Sequence, residues 1–178
     1  TFLQSNSLAV ENNYEYVKTK IDIDNYLSYV AVQIYAANTD WPGNNIKFWN
    51  HKNGKWRWIL YDTDFGFGTH ANNSHNTLEF ALEPNGPGWP NPPWATSLLR
   101  NMVRSEEFRI DLINRFADYL NSRFRQEYVV DQIDSISAII QPEMANHLAR
   151  WGGNYNWWVN NIQQRRDFAN QRPDIFGK

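Results

Sequence analysis

Residues 38–68 read NTDWPGNNIKFWNHKNGKWRWILYDTDFGFG, and the rest of the chain is best understood from them. Two acidic loops flank two segments, 46–51 and 55–61, rich in aromatic and β-branched residues, with Asn53-Gly54 between them. Asn-Gly predicts a type I′ hairpin turn, because both central residues need positive φ. Closing such a hairpin brings Asp40, Asn44 and Asn45 at one open end towards Asp62 and Asp64 at the other. If the second strand stays extended, Trp58, Leu60, Asp62 and Asp64 share a face, with the two carboxylates about 7 Å apart at roughly 3.3 Å per residue. Hard oxygen donors of this kind suit Mg²⁺ or Mn²⁺. Any one Asp or Asn in a loop has a local turn-forming explanation. Four or five acceptors drawn together by one hairpin favour a shared metal site.

Spacing narrows the chemistry. Asp40-Trp-Pro-Gly-Asn-Asn45 fits D-x-x-x-x-N, and Asp64-Phe65-Gly66 is a D-F-G. The two motifs, in this order around a hairpin, are the arrangement of a protein-kinase catalytic loop and its metal-binding segment. Asn38-Thr39 stands where an ordinary eukaryotic-type kinase has His-Arg, which disfavours that class. With KIDIDNYLSYVAVQIYAANTDWPGNNIKFW at 20–49, KWRWILYDTDFGFG at 55–68, Arg150-Trp151 and FANQRP at 168–173, the chain resembles the spore-coat-H-like (CotH) atypical kinases from about residue 20 to 175.

The resemblance implies an α+β, mostly helical fold. It would be a protein-kinase-like large lobe with a small β-hairpin carrying the catalytic and metal-binding loops. It implies ATP and Mg²⁺ or Mn²⁺ as cofactors, and transfer of a phosphoryl group to a protein Ser or Thr. Asp40 matches the catalytic carboxylate that accepts or orients the hydroxyl proton. Asn45 matches the amide that binds a second metal, with Asn44 as its neighbour and possible substitute. Asp64 matches the D-F-G metal ligand and Asp62 an auxiliary one, with Phe65 and Gly66 on the nucleotide side. Spore-coat and secreted bacterial members of the family suggest, without fixing, an extracytoplasmic location.

Composition bounds the alternatives. The 178 residues make one domain's worth of chain, with net charge −2 and a pI near 6.1, so no strong field favours nucleic acid. There is no cysteine for a disulfide scaffold or a thiolate zinc site, and no apolar run reaches bilayer-spanning length. Aromatics reach 16%, with nine Trp, at a mean hydropathy of −0.68, so many rings must fill the core or line a binding surface.

Residues 1–19 read as a linker or the end of a missing upstream lobe, and 20–178 as the carboxy-terminal lobe. Asp22 or Asp24 caps a helix to about Ala37, with Leu27, Val30, Ile34 and Ala37 facing the core; Trp41 is assigned to the core. Residues 69–95 show no clear period and sit where an activation or substrate segment would. His70 and His75 there read as solvated. Asn72-Asn73-Ser74 formally fits a glycosylation acceptor and is discounted. Thr96 is expected to cap a short helix. Ser105 opens one with Phe108, Leu112, Phe116 and Leu120; others cover about 126–140, Pro142 to Trp151, and a last segment with Trp158, Ile162 and Phe168.

A phosphate-gripping lysine with its glutamate partner, and a glycine-rich nucleotide cover, are not identifiable. Lys18 and Lys20 read as solvated. These parts belong to a small lobe, so the chain reads as a piece of a longer protein, expected to be inactive by itself. Two further readings compete. One is a non-catalytic module whose Trp89 and Trp94 stack on carbohydrate or bind protein; the other, metal-dependent hydrolysis, is weakened by the absence of converging histidines.

Overall fold

The structure, a computed structural model, describes residues 2–86 and 88–176. It is mostly helical, with one two-stranded antiparallel hairpin. In chain order come α1 (Phe2–Ser5), α2 (Glu11–Lys20), α3 (Ile23–Tyr35), β1 (Lys47–Trp49), β2 (Arg57–Ile59), α4 (Thr77–Leu82), α5 (Pro93–Met102), α6 (Glu106–Leu120), α7 (Gln126–Ile140), α8 (Met144–Trp151), α9 (Tyr155–Gln171) and α10 (Pro173–Phe176). A short 3₁₀ turn, Gln141–Glu143, joins α7 to α8.

Helix α3 is the axis of the fold. Asp22 caps it, its carboxylate accepting from the Asn25 amide at 3.1 Å. Tyr26, Leu27, Val30 and Ile34 are buried with Trp41, Leu99, Met102, Phe108 and Leu112 in the main core. Tyr35 faces a second cluster, its ring stacked on Phe124 at 3.9 Å beside Val129 and Ala169. The expected core face of α3 and the buried Trp41 are therefore as read from the sequence. Arg115 ties α6 to α3 through Asp24 and Ser28, and the Tyr119 hydroxyl adds a bond to Ser28 at 2.9 Å.

Several expectations are corrected. Residues 2–20 are packed rather than loose. They form α1 and α2 and bury Leu8, Tyr14 and Val17 in the main core, apolar contacts too few for the mean hydropathy to register. Lys18 is not simply solvated but bridges α2 to α6 at Glu107, 2.8 Å away. Pro93, not Thr96, stands at the start of α5. Thr96 is buried inside it, donating to the Glu83 carbonyl at 3.1 Å. The segment read as aperiodic contains α4, capped by Asn76.

The hairpin pairs Lys47 with Ile59, Phe48 with Trp58 and Trp49 with Arg57, which leaves a seven-residue connection rather than a two-residue turn. Asn53 and Gly54 are not among the positive-φ residues; the reversal closes instead through Gly54 N donating to His51 O at 2.7 Å. Competition for Trp56 explains this. Its amide donates to Lys20 O and its carbonyl accepts from Asp22 N, at 2.8 and 3.0 Å, pulling that end of the strand onto the link between α2 and α3. Asn25 completes the edge, accepting from Trp58 N at 2.6 Å and donating to Trp58 O at 3.2 Å. The hairpin is thus pinned to the start of α3.

Arg172 is pinned to the other end. Only 1% exposed, it has no carboxylate partner among the described residues. Its guanidinium donates to Tyr35 O at 2.8 Å, Ile34 O at 2.6 Å, His75 O at 2.9 Å, and also to Asn73 O. Thr77 Oγ1, at 3.4 Å, takes the fifth donor. The cation sits on the carbonyl end of α3, where the helix dipole favours positive charge, and over the Phe176 ring at 4.9 Å. Burial still pulls its pKa down to about 10.

Arg172→Met should destabilise the protein by about 3 kcal/mol in chemical denaturation, because Tyr35 O and Asn73 O lose their donor while Ile34 O and His75 O keep only a backbone one. Lysine should rescue only in part, since an ammonium cannot reproduce the planar fork. His75 gives a smaller, pH-dependent effect. Burial, then the nearby Arg172 charge, holds its pKa below the usual histidine value. The unfolded chain therefore binds the proton first, and stability falls as pH drops below about 6.5. Between pH 7.5 and 5 the melting temperature of wild type should fall more steeply than that of His75→Gln; parallel falls would show that this histidine has no part in the loss.

Candidate functional site

Leaving α3, the chain enters the first acidic loop through Ala37 in left-handed backbone, φ 51°, and leaves it through Asn45 at φ 50°. The second loop is bracketed in the same way, by Asp62 at φ 51° and Phe67 at φ 52°. Among the described residues these are the only non-glycine positions with positive φ. Such conformations cost of order 1 kcal/mol or more for residues other than glycine, Asn being the mildest case, and they concentrate at functional sites. Here all four lie at the margins of the two motif loops.

Within the first loop Asp40 is buried. The Asn44 side-chain amide donates to both its carboxylate oxygens at 3.0 Å, and the Asn45 amide donates to one of them. The Asp40 backbone N–H donates to Asn38 Oδ1 at 3.1 Å, and Asn38 donates in turn to Gln33 Oε1 at 2.8 Å. Asn38 and Gln33 are both fully buried, so Asp40 is referenced to the last turns of α3 through an interior polar chain. Sequence reading missed this chain: a buried Gln inside a helix carries no signal apart from its place on the core-facing side.

The second loop docks on the same helix end. Phe67 N donates to Ala36 O at 2.8 Å, and a Cβ on Gly66 would lie 2.9 Å from that oxygen. The close approach that Gly66 serves is therefore to α3. Phe67 reaches the Tyr35 and Phe168 rings, while Phe65 stacks on His70 at 3.7 Å, so this histidine is exposed on one face only. Downstream, Gln164 donates to Gly68 O at 2.6 Å and Arg165 to Thr69 Oγ1 at 3.0 Å, fastening the loop to α9.

Asn45 joins the loops, its amide also lying 3.4 Å from Asp62 O. The structure therefore brings together Asp40, Asn44, Asn45 and the Asp62 backbone. Asp62 and Asp64 expose their carboxylates, and the left-handed turn at Asp62 ends the extended run, so the two do not alternate along a strand. Among the described residues neither carboxylate is in a hydrogen bond or ion pair, and no three acidic or histidine side chains group closely enough to hold a metal. A protein cage around one ion is thus not formed. Two carboxylates free of protein partners are hard donors of the kind Mg²⁺ takes, one or two at a time, completing its shell with phosphate and water.

Gly43 makes a third connection that its residue type alone did not reveal. A Cβ there would fall 2.1 Å from Pro90 O and 2.5 Å from Pro92 Cδ, so the Asp40 loop and residues 90–92 are in backbone contact. Trp89, 62% exposed, meets Phe65 edge to face at 6.3 Å. The proline- and tryptophan-rich segment therefore touches both motif loops.

No curated protein and no solved structure matches the chain. A family model described as CotH kinase protein matches residues 1–176, nearly all of it, including the helices before residue 20. On that match, and with both motif loops docked on one helix end, the chain belongs to the CotH kinase family.

Proposed function

We propose that the chain is the large lobe of a protein kinase that transfers the γ-phosphoryl group of ATP to a Ser or Thr hydroxyl of a protein. The observation that carries this reading is the Asn45 amide, bonded to the Asp40 carboxylate and lying against the Asp62 carbonyl. It links the D-x-x-x-x-N loop to the residues just before the D-F-G, which supports reading the two as one site.

In this reading the acceptor hydroxyl approaches Asp40 and its oxygen forms the new bond to phosphorus as the bond to ADP breaks. The hydroxyl proton passes to the Asp40 carboxylate. Asn44 is exposed and covers that carboxylate, so it must swing aside to admit the hydroxyl. Asn38 and Gln33 hold the loop while it does. Asp62, Asp64 and Asn45 would hold Mg²⁺ or Mn²⁺, which supplies charge neutralisation at the transferring phosphates. Phe65 would border the nucleotide. The protein's contribution is positioning and electrostatic stabilisation.

The phosphate-gripping lysine and the nucleotide cover would come from an upstream lobe seated on the hairpin. Trp49, Ile59 and Leu60 are all exposed there, as a buried lobe interface would leave them when viewed alone. A second reading, a non-catalytic binding module for carbohydrate or protein, is favoured by the exposed indoles of Trp89, Trp94, Trp151 and Trp157.

In the full-length protein, Asp64→Ala should abolish metal-dependent nucleotide binding measured by calorimetry. Glycan binding with no nucleotide binding would replace the kinase reading by the second one. Asp40→Asn should lower kcat by about 10²–10⁴-fold with nucleotide affinity retained, whereas Asn44→Ala should lose far less. The 178-residue stretch by itself should show little or no phosphoryl transfer to protein; robust ATP-dependent labelling by it would remove the upstream lobe from the proposal.

A further inference from the structure

We propose that an apolar slot beside the Asp40 loop receives one bulky aliphatic or aromatic side chain of the acceptor polypeptide, within a few residues of the phosphorylated hydroxyl. The inference rests on the kinase reading and adds a determinant of acceptor choice to it. The slot has a volume of about 210 Å³, with Trp41, Pro42, Phe48, Trp58, Trp94 and Leu98 among its walls. No charged side chain lines it, so it offers nothing to a phosphate or a metal ion. Its volume falls below the roughly 300–1,000 Å³ of sites that enclose whole small molecules, which points to a single side chain as occupant.

Its place ties that occupant to the reaction. Trp41 follows Asp40 directly and Pro42 comes next, so the slot wall and the proposed catalytic carboxylate belong to one short loop. The walls are also preset. Trp58 is held by the Tyr26 ring at 4.6 Å and by Asn25 on its backbone. The opposite wall, at the start of α5, is held against the Asp40 loop by the Gly43 contact with Pro90 and Pro92. Over this frame Trp94 and Phe48 remain 68% and 54% exposed. These two rings are the apolar surface that an inserted side chain would cover, and an aromatic or branched aliphatic group covers it best.

The test uses the full-length protein and fluorescently labelled ten-residue Gly/Ser peptides with a central Ser. Each peptide carries Phe, Leu or Ala at one position within four residues of that Ser, and binding is read by anisotropy. Phe or Leu at a preferred position should bind at least tenfold more tightly than Ala there. Ala95→Phe, which fills the slot, should erase the preference, with a thermal melt confirming the fold. Trp94→Ala, on the exposed rim, should reduce the preference without the risk of misfolding. Equal binding of Phe, Leu and Ala peptides, or a preference unchanged in both variants, would overturn the proposal. Phosphoryl transfer without any apolar preference removes the slot alone. A slot-dependent preference with neither nucleotide binding nor transfer removes the kinase reading and leaves the slot's ligand class standing.

Discussion

The carbonyl end of α3 is the constraint on which the rest depends. A helix leaves its last carbonyls without intrahelical partners, and buried ones must be satisfied from elsewhere. Here Arg172, from the junction of α9 and α10, takes Ile34 O and Tyr35 O, and Phe67, from the D-F-G loop, takes Ala36 O. The same guanidinium holds Asn73 O and His75 O from the segment before α4. Three stretches far apart in sequence are thereby referenced to the point where the chain turns into the Asp40 loop. A buried cation without a counter-charge is costly, and its retention makes sense when five donors satisfy what no apolar side chain could.

The polar chain from Gln33 through Asn38 to Asp40 extends the same logic into the site. Its Gln33 Nε2 finds no acceptor, so the network is not fully satisfied. A group of that kind is a liability for stability alone. The four left-handed residues at the loop margins add backbone cost at the two motifs. Backbone cost of this kind persists where the surroundings hold it.

Much of this was legible beforehand, for identifiable reasons. Helix α3 was readable because Asp22 caps it and its apolar residues recur at helical spacing; α7 was placed at its observed bounds. The hairpin's existence was readable from Asn53-Gly54, but its register was not, because Trp56 pairs with residues more than thirty positions upstream. Residues 1–19 escaped because a few buried side chains anchor a segment that is polar on average. Arg172 lay within the FANQRP stretch, yet no residue pattern says that an arginine will be interior. Ala37 and Phe67 are the least legible of all, since neither residue type favours positive φ.

The fixed and free parts of the site divide along these lines. Asp40, Gly66 and Phe67 are held to the end of α3 by interior hydrogen bonds or close backbone contact. The carboxylates of Asp62 and Asp64 are exposed and make no hydrogen bond to that frame, and the Trp94 indole is exposed. Under the proposed function, the groups that would meet ligand are side chains carried on loops docked against α3. This is the preorganisation expected where charge is to be stabilised rather than bonds made by the protein.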